Sequence, residues 1–428
     1  MPSSDMPSSD LGTIHIVGAG LAGLAAAVQL SGAGRRVVVH EATATAGGRC
    51  RSYFDQQSGM TIDNGTHLVL SGNHAVLSFA RSIGSAAGLK GPAEAEFQFV
   101  DFADGAQWTL RFGDSRFPWW IFNKDRRVPQ TGVIDYLPLA RLACASEDRP
   151  IGRVMACEGA LYKRLLEPLL LAALNTEPPQ GSAKLAGTLI RETLALGGKA
   201  CRPLLAREGL GPVFVEPALA MLAARGVAVA FEDELVALHF DGPQVTRLQF
   251  AKHTETLAEG DSVILAVPPW TAEGLVPGLT APNEFRGIVN AHFRIDPPAR
   301  MPPMLGVVSG TAQWIFAHPG RISVTVSDAG ALFTQPRLDL AQALWNDVAR
   351  VSGLPETLPP WQIVRERRAT FAATPEQNGR RPQAQTFWRN LWLAGDWTDT
   401  GLPATLESAI RSGYRAAELA AHNLRIAA

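Results

Sequence analysis

Three glycines, Gly18, Gly20 and Gly23, stand in G-x-G-x-x-G spacing, and a carboxylate, Glu41, follows 18 positions after the last of them. Glycine at the first position permits a tight turn. At the second it lets the backbone approach a pyrophosphate, and at the third it lets a helix pack closely on a sheet. Leu21 and Ala22 open that helix, where unpaired N–H groups and the positive end of the peptide dipoles favour phosphate. Glu41 can accept hydrogen bonds from both hydroxyls of a ribose, and its charge would repel a 2′-phosphate. The chemistry of this set is the holding of a dinucleotide. A second set, Gly47, Gly48, Arg49 and Arg51, is a glycine turn with two cations close to the same pyrophosphate. A third is Asp63, Gly65, Thr66 and His67, whose imidazole can give or take a proton near neutral pH.

Elements must hold these side chains in place. Residues 14–17 carry a strand signal, residues 21–30 a helix of small apolar residues, and residues 35–40 a second strand ending at Glu41. The apolar spacing predicts a helix over 73–89, strands at 97–100 and 108–112, and helices at 129–142 and 161–173. A helix at 213–225 precedes strands at 227–231, 234–240, 244–250 and 262–267. Strands at 288–295, 311–316 and 321–327 and a helix over 338–352 follow. A last apolar strand ends at Gly395-Asp396, and a long helix begins near Pro403 or Ala404, with proline well placed in a first turn.

The chain has 428 residues, 46% hydrophobic and 18% charged, with a formal net charge of −1. Its length suits two or three domains. The charge balance argues against nucleic acid or a polyanion as main partner. Cys50, Cys144, Cys157 and Cys201 form no C-x-x-C and no cluster with metal-ligand spacing. No metal is expected, and reduced cysteines suit a cytoplasmic enzyme. Residues 1–10 repeat MPSSD and read as a disordered tail, not a signal peptide. No run approaches the length of a spanning helix. Two stretches are apolar enough to touch a bilayer surface. Residues 117–122 (FPWWIF) lie among Arg116, Lys124, Arg126 and Arg127, which fits an interfacial anchor. In residues 161–174, Leu165, Leu166, Leu169, Leu170 and Leu171 crowd a helix-like stretch. For both, core or tunnel wall is the favoured expectation.

G-A-G-L-A-G-L followed by E-A-x-x-x-A-G-G-R-C-R-S resembles the flavin amine oxidase and phytoene desaturase superfamily, and so implies FAD rather than NAD. In that superfamily the Gly-Gly-Arg turn wraps the FAD diphosphate, a role that falls on Gly47, Gly48 and Arg49, just after Glu41 and Ala42. Residues 61–68 resemble the segment that passes the isoalloxazine, with Gly65 allowing close approach and Thr66 standing where many relatives carry Gln. Val236 stands where a backbone contact to adenine is implied. Asp396 is implied beside the ribityl chain or diphosphate, with Pro403, Ala404 and Thr405 at the helix start toward the flavin's electron-rich side. The implied fold is α/β, a Rossmann-like FAD-binding domain with a discontinuous α+β substrate domain. The first takes residues 11–93, 208–268 and 387–428, the second 94–207 and 269–386.

Amine oxidases of that superfamily rely on a lysine late in the substrate domain, and some link FAD to a cysteine near the C-terminal motif. Here no lysine follows Lys252 and no cysteine follows Cys201, which argues against amine oxidation and for non-covalent FAD. D-N-G-T-H-L-V-L-S-G-N, L-L-E-P-L-L-L-A-A-L-N-T and L-A-G-D-W-T-D-T-G-L-P-A-T-L-E-S-A-I-R-S-G together resemble the hydroxysqualene dehydroxylase family of squalene and hopanoid biosynthesis. The implied reaction is reductive: an allylic alcohol ionises once its oxygen is protonated, and hydride from reduced flavin captures the cation. His67 is the candidate acid or water-positioner, with Asp63 and Arg51 in support. The implied partners are a long apolar isoprenoid, an electron donor that no second fingerprint identifies, and a peripheral contact with the inner face of the cytoplasmic membrane. A carotenoid or polyisoprenoid desaturase is the alternative, and a non-catalytic prenyl-lipid carrier a third reading.

Overall fold

Ile14, Ile16, Val39, Val263, Ile264 and Leu265 are all fully buried. Short, continuously apolar strands of this kind belong inside a parallel sheet covered on both faces. In the computed structural model, which describes residues 12–426, five short strands form one sheet, buried at its centre and more open at Ala228–Ala230 on its edge. Its order is Ala228–Ala230, Val37–His40, Ile14–Val17, Ser262–Leu265 and Leu391–Leu393, all parallel. The tail expected at 1–10 lies outside the described residues. The helices Leu21–Gly32 and Leu406–Ile426 pack on each other beside this sheet. A Cβ on Gly413 would stand 2.1 Å from the Ala22 carbonyl oxygen, so only glycine allows the approach.

The second layer is a seven-stranded sheet, ordered Trp361–Phe371, Phe285–Phe293, Arg321–Val326, Trp314–His318, Met304–Val308, Ala95–Asp101 and Gln107–Phe112. All neighbours are antiparallel except Met304–Val308 and Ala95–Asp101. The helix Arg337–Ser352 buries Leu340, Leu344, Trp345 and Val348 against it, with the Trp345 and Phe293 rings 5.0 Å apart. Phe97, Trp108, Leu165, Leu166 and Leu170 share a separate core. A hairpin, Ser52–Asp55 with Met60–Asp63, leads from the glycine turn toward the larger sheet. Pro203–Ala206 pairs with Leu68–Leu70 and Leu89–Lys90, so this strand joins the first block of the chain although it precedes residue 208.

Several elements differ from expectation for local reasons. The helix expected over 73–89 is His74–Ser82; Gly84, at φ +76°, turns the chain, and Leu89–Lys90 is extended. Residues 129–142 form a single turn at Val133–Tyr136 and then the helix Leu137–Ala143, since Pro138 fits only a first turn. Residues 161–174 are helical but widened at Tyr162–Leu166 before Glu167–Leu174, and the same widening at Gly211–Val215 precedes Glu216–Ala224. Both wide turns precede a Glu-Pro pair, where proline cannot donate to the carbonyl four residues earlier and its ring pushes that carbonyl away. The strands Met304–Val308 and Trp361–Phe371 were not foreseen, the second because Arg365, Glu366, Arg367 and Arg368 mask its pattern.

Candidate cofactor and substrate site

The glycine loop is shaped by what each missing side chain makes room for. Gly18 sits at φ +107°, and a Cβ there would lie 2.4 Å from the Ala266 carbonyl oxygen. On Gly23 a Cβ would lie 1.9 Å from the Gly18 oxygen, whereas on Gly20 it would meet nothing within 4 Å. Gly18 and Gly23 therefore close the turn, and Gly20 faces open space. The second glycine turn lies directly on the first: the Gly47 N–H donates to the Ala19 oxygen at 2.8 Å, and Gly47 and Gly48 take φ of +103° and +54°. Leu21 and Ala22 are buried in the first helical turn, and Ala42 is exposed just beyond Glu41.

The buried Glu41 carboxylate accepts the Ala19 N–H at 2.8 Å and, on its other oxygen, the Thr43 N–H and hydroxyl at 2.9 and 2.8 Å. The Glu41 backbone pairs with Ala230 and Asp233 at 2.8 and 2.9 Å. Asp233 is held in turn by His40, Nδ1 to Oδ2, at 2.8 Å. Val236 is half-exposed on the strand Leu235–Asp241, so Ala230 and Asp233, rather than Val236, are the residues brought to Glu41.

At the far end of the chain, Gly395 takes φ +145° and its N–H donates to the Ser412 hydroxyl at 2.8 Å. The buried Asp396 carboxylate accepts Arg49 Nη2 at 2.6 Å, while Arg49 Nη1 donates to the Ala369 oxygen at 2.6 Å. Arg49 thus ties both cofactor-type turns to the larger sheet. Arg381, buried, donates to the Asp396 and Thr398 carbonyls; burial, against nearby Asp399, Asp396 and Asp148, brings its pKa down to about 10. The last helix starts at Leu406, later than expected, with Thr405 as its cap: its hydroxyl accepts the Ser408 N–H at 3.1 Å. Pro403 and Ala404 lie in the turn before it. Glu407, buried, accepts the Ala75 and Val76 N–H groups at 3.0 and 2.9 Å, capping the helix His74–Ser82 from a distance.

Residues 61–67 are clamped by the larger sheet. Arg321 donates to the Thr61 oxygen and to the Asp63 carboxylate, both at 2.8 Å. Asp63 also accepts the Ser52 hydroxyl at 2.6 Å and the Leu210 N–H at 2.8 Å. Its carboxylate thus joins three segments, and its charge also acts on the His67 ring. His292, fully buried and lowered to about pKa 4 by that burial, stands 3.1 Å from the Asp63 carbonyl. Asn290 spans the Thr66 N–H and the Asn64 oxygen at 3.4 Å each. His67 Nδ1 lies 2.9 Å from the Gly65 oxygen, which places its proton on Nδ1 and a lone pair on Nε2. Burial lowers its pKa, so the ring is neutral at neutral pH. Arg51 turns back to the Gly48 oxygen at 3.3 Å. Asn290, His292, Arg321, Arg381 and Glu407 were all missed; each is an isolated polar residue whose partner is distant in sequence.

The arrangement passes a simple test of fit for a dinucleotide with a ring system. Gly20 leaves a cradle that a Cβ would fill, and the Thr66 hydroxyl oxygen is buried without a partner at the ring end. Arg49 and Asp396 also border a narrow slot walled by Trp270, Phe285, Phe371 and Trp397. There Trp270 meets Phe285 edge-on at 5.1 Å and the Arg368 guanidinium lies 4.7 Å over Trp270. Phe285 also borders an outer cleft of about 420 Å³ that Glu177, Arg286, Asp328 and Phe333 line.

The flavin containing amine oxidoreductase family matches this chain over residues 21–421. The chain belongs to that family. Its cofactor is FAD, and the fold is a Rossmann-like FAD-binding domain with a substrate domain. Among its relatives, the hydroxysqualene dehydroxylase of Rhodopseudomonas palustris is 56% identical over 95% of this chain and 98% of its own. That of Sinorhizobium fredii is 54% identical over the same shares, and that of Zymomonas mobilis 47%. Among solved structures, putrescine oxidase bound to putrescine superposes with TM-score 0.69 at 18% identity, covering 95% of this chain and 98% of that one. Cyclohexylamine oxidase from Brevibacterium oxydans superposes with TM-score 0.70 at 14% identity, covering 97% and 99%. These two share the fold.

Proposed function

We propose that this chain is an FAD-dependent oxidoreductase that reduces hydroxysqualene to squalene. The observation that carries the reading is near-full-length identity of 47–56% to three hydroxysqualene dehydroxylases. In balance, the alcohol's C–O bond breaks, its oxygen takes a proton and leaves as water, and a hydride closes the new C–H bond. Reduced FAD, when bound, supplies that hydride.

The remaining work falls to the chain's own residues. Gly18, Gly20, Leu21, Ala22, Gly23, Glu41, Gly47, Gly48 and Arg49 would hold the dinucleotide, and Gly65, Thr66, Asp396 and the turn 403–405 its ring end. His67, neutral and with Nε2 free, suits the orienting of water or hydroxyl rather than service as a standing acid. Asp63 and Arg51 support it by fixing the backbone of the hairpin and turn. The slot of Trp270, Phe285, Phe371 and Trp397 would present apolar side chains to an isoprenoid beside Arg49 and Asp396. The division of the chain into residues 11–93, 208–268 and 387–428 against 94–207 and 269–386, with Pro203–Ala206 joining the first unit, belongs to the same proposal. So does action at the cytoplasmic face of a membrane, where such a substrate resides. Among the described residues, no helix is long and apolar enough to cross one.

The test is an anaerobic single turnover: reduce the bound flavin with dithionite, add hydroxysqualene, and follow absorbance and extracted lipid. Squalene forming in step with flavin reoxidation supports the reading, and a reduced flavin that ignores the alcohol sinks it. His67→Ala is expected to slow that step by about 10²-fold or more at unchanged FAD content; an unaltered rate would remove His67 from the chemistry.

A further inference from the structure

Five of the twelve exposed large apolar side chains among the described residues fall between positions 117 and 137: Phe117, Trp119, Phe122, Ile134 and Leu137. Trp119 is 65% exposed and Ile134 77%. Three of them form one knob, with ring centroids 4.4 Å apart for Phe117 and Trp119, 6.0 Å for Trp119 and Phe122, and 6.2 Å for Phe117 and Phe122. The knob has a firm root. Trp120 and Ile121, between the exposed rings, are buried, and Trp120 meets Tyr136 and Phe112 edge-on at 5.3 and 5.1 Å. The Tyr136 hydroxyl accepts the Val128 N–H at 3.0 Å, tying in the turn that carries Ile134 and Leu137. Water therefore faces a cluster of rings anchored on a buried root.

The charges around the knob select its occupant. Residues 116–127 hold four basic side chains, Arg116, Lys124, Arg126 and Arg127, against one acidic residue, Asp125, in a chain of formal net charge −1. Arg116, Lys124 and Arg126 are exposed. Asp114 and Asp135 border the patch, and Asp135 is engaged with the Gly132 N–H at 2.7 Å. Rings at a tip with cations at the rim match a bilayer, where aromatic side chains settle at headgroup depth and basic ones meet anionic lipid. Snorkelling lysine and arginine stems extend the same geometry.

We infer that residues 117–122, with Ile134 and Leu137, dock this protein on the surface of an anionic phospholipid bilayer. This deepens the membrane-surface reading above, and its test is separate from the reaction. Sedimentation with vesicles of equal phosphatidylcholine and phosphatidylglycerol is compared with phosphatidylcholine alone. The FAD-loaded protein is expected to bind the mixed vesicles, and salt is expected to weaken that binding. The triple variant Phe117→Ser, Trp119→Ser, Phe122→Ser should bind at least about tenfold more weakly. Ile134→Ser with Leu137→Ser should lose a smaller part, and Lys124→Ser with Arg126→Ser the preference for anionic lipid. Each variant should keep its flavin absorbance and its turnover of detergent-dispersed hydroxysqualene. Failure of the unaltered protein to bind mixed vesicles at low salt overturns the inference, as does equal binding by the triple variant. So does a dimer, seen by light scattering, that the triple variant dissolves, since a second copy would then be the occupant. If no form makes squalene in detergent, the reaction reading fails while the vesicle result still decides the anchor.

Discussion

Residues 117–122 and residues 161–174 are both dense in large apolar side chains, yet the fold treats them oppositely. Leu165, Leu166, Leu170 and Leu174 are buried to within 2% of full enclosure, whereas Phe117, Trp119 and Phe122 are more than half exposed. The second stretch is therefore core, and only the first remains a candidate for the lipid surface. Their charges differ in the same way. Arg164, inside the leucine stretch, is buried and pairs with Asp101 at 3.2 Å and with Asp104. Arg116, Lys124 and Arg126 stand in solvent beside the aromatic rings. Hydrophobicity does not tell a core helix from a surface anchor; the fate of the nearest charge does. A helix apolar on most of its circumference has no face to offer water, while a tight turn can bury alternate residues and present the others.

The contrast can be broken at either end. The largest effect is expected from Leu170→Asp, which places an unpaired carboxylate in the core; the soluble, flavin-bearing protein should be lost, as expression and circular dichroism would report. Arg164→Ala comes next. It leaves Asp101 buried without its cation, and urea unfolding should show a loss of about 3–5 kcal/mol. A loss below about 1 kcal/mol would mean that the pair is solvated like a surface one.

A subtler mark of burial lies at Glu167, whose carboxyl burial pushes up from its ordinary value of 4.5, with Glu177 adding to the shift. A carboxyl that protonates more readily in the folded chain costs stability as pH rises from its unfolded value through its folded one, and the cost persists at neutral pH. Glu167→Gln should therefore be more stable than the parent at pH 7 and equal to it in acid below the ordinary value; denaturant midpoints across pH check the sign. The smallest effect belongs to the exposed knob. Trp119→Ser should alter unfolding free energy by no more than about 0.5 kcal/mol, and a larger drop would move Trp119 into the core.

The shape of the glycine turns was legible in the sequence. Gly18 and Gly23 answer to contacts a few residues away, or to one facing carbonyl, so their spacing carries the message. Asp396 was legible because a strand end and a helix start bracket it in sequence. Asn290 and Arg321 were not, because each acts on a partner brought near only by the larger sheet, and Arg381 was not, because it reaches the Asp396 turn from a loop without regular pattern. Trp361–Phe371 hid its strand character behind four consecutive charged residues.

By itself the sequence determined the β–α–β unit, the dinucleotide turn, the kinship that implies FAD, and the two apolar stretches as objects of interest. These are properties of neighbours along the chain, where sterics and periodicity act. Tertiary structure alone decided that His67 is neutral with its proton on Nδ1, that the Asp63 carboxylate joins Ser52, Leu210 and Arg321, and which apolar stretch faces water. The reason is physical: burial and pairing are set by whatever packs opposite, and those partners stand tens to hundreds of residues away.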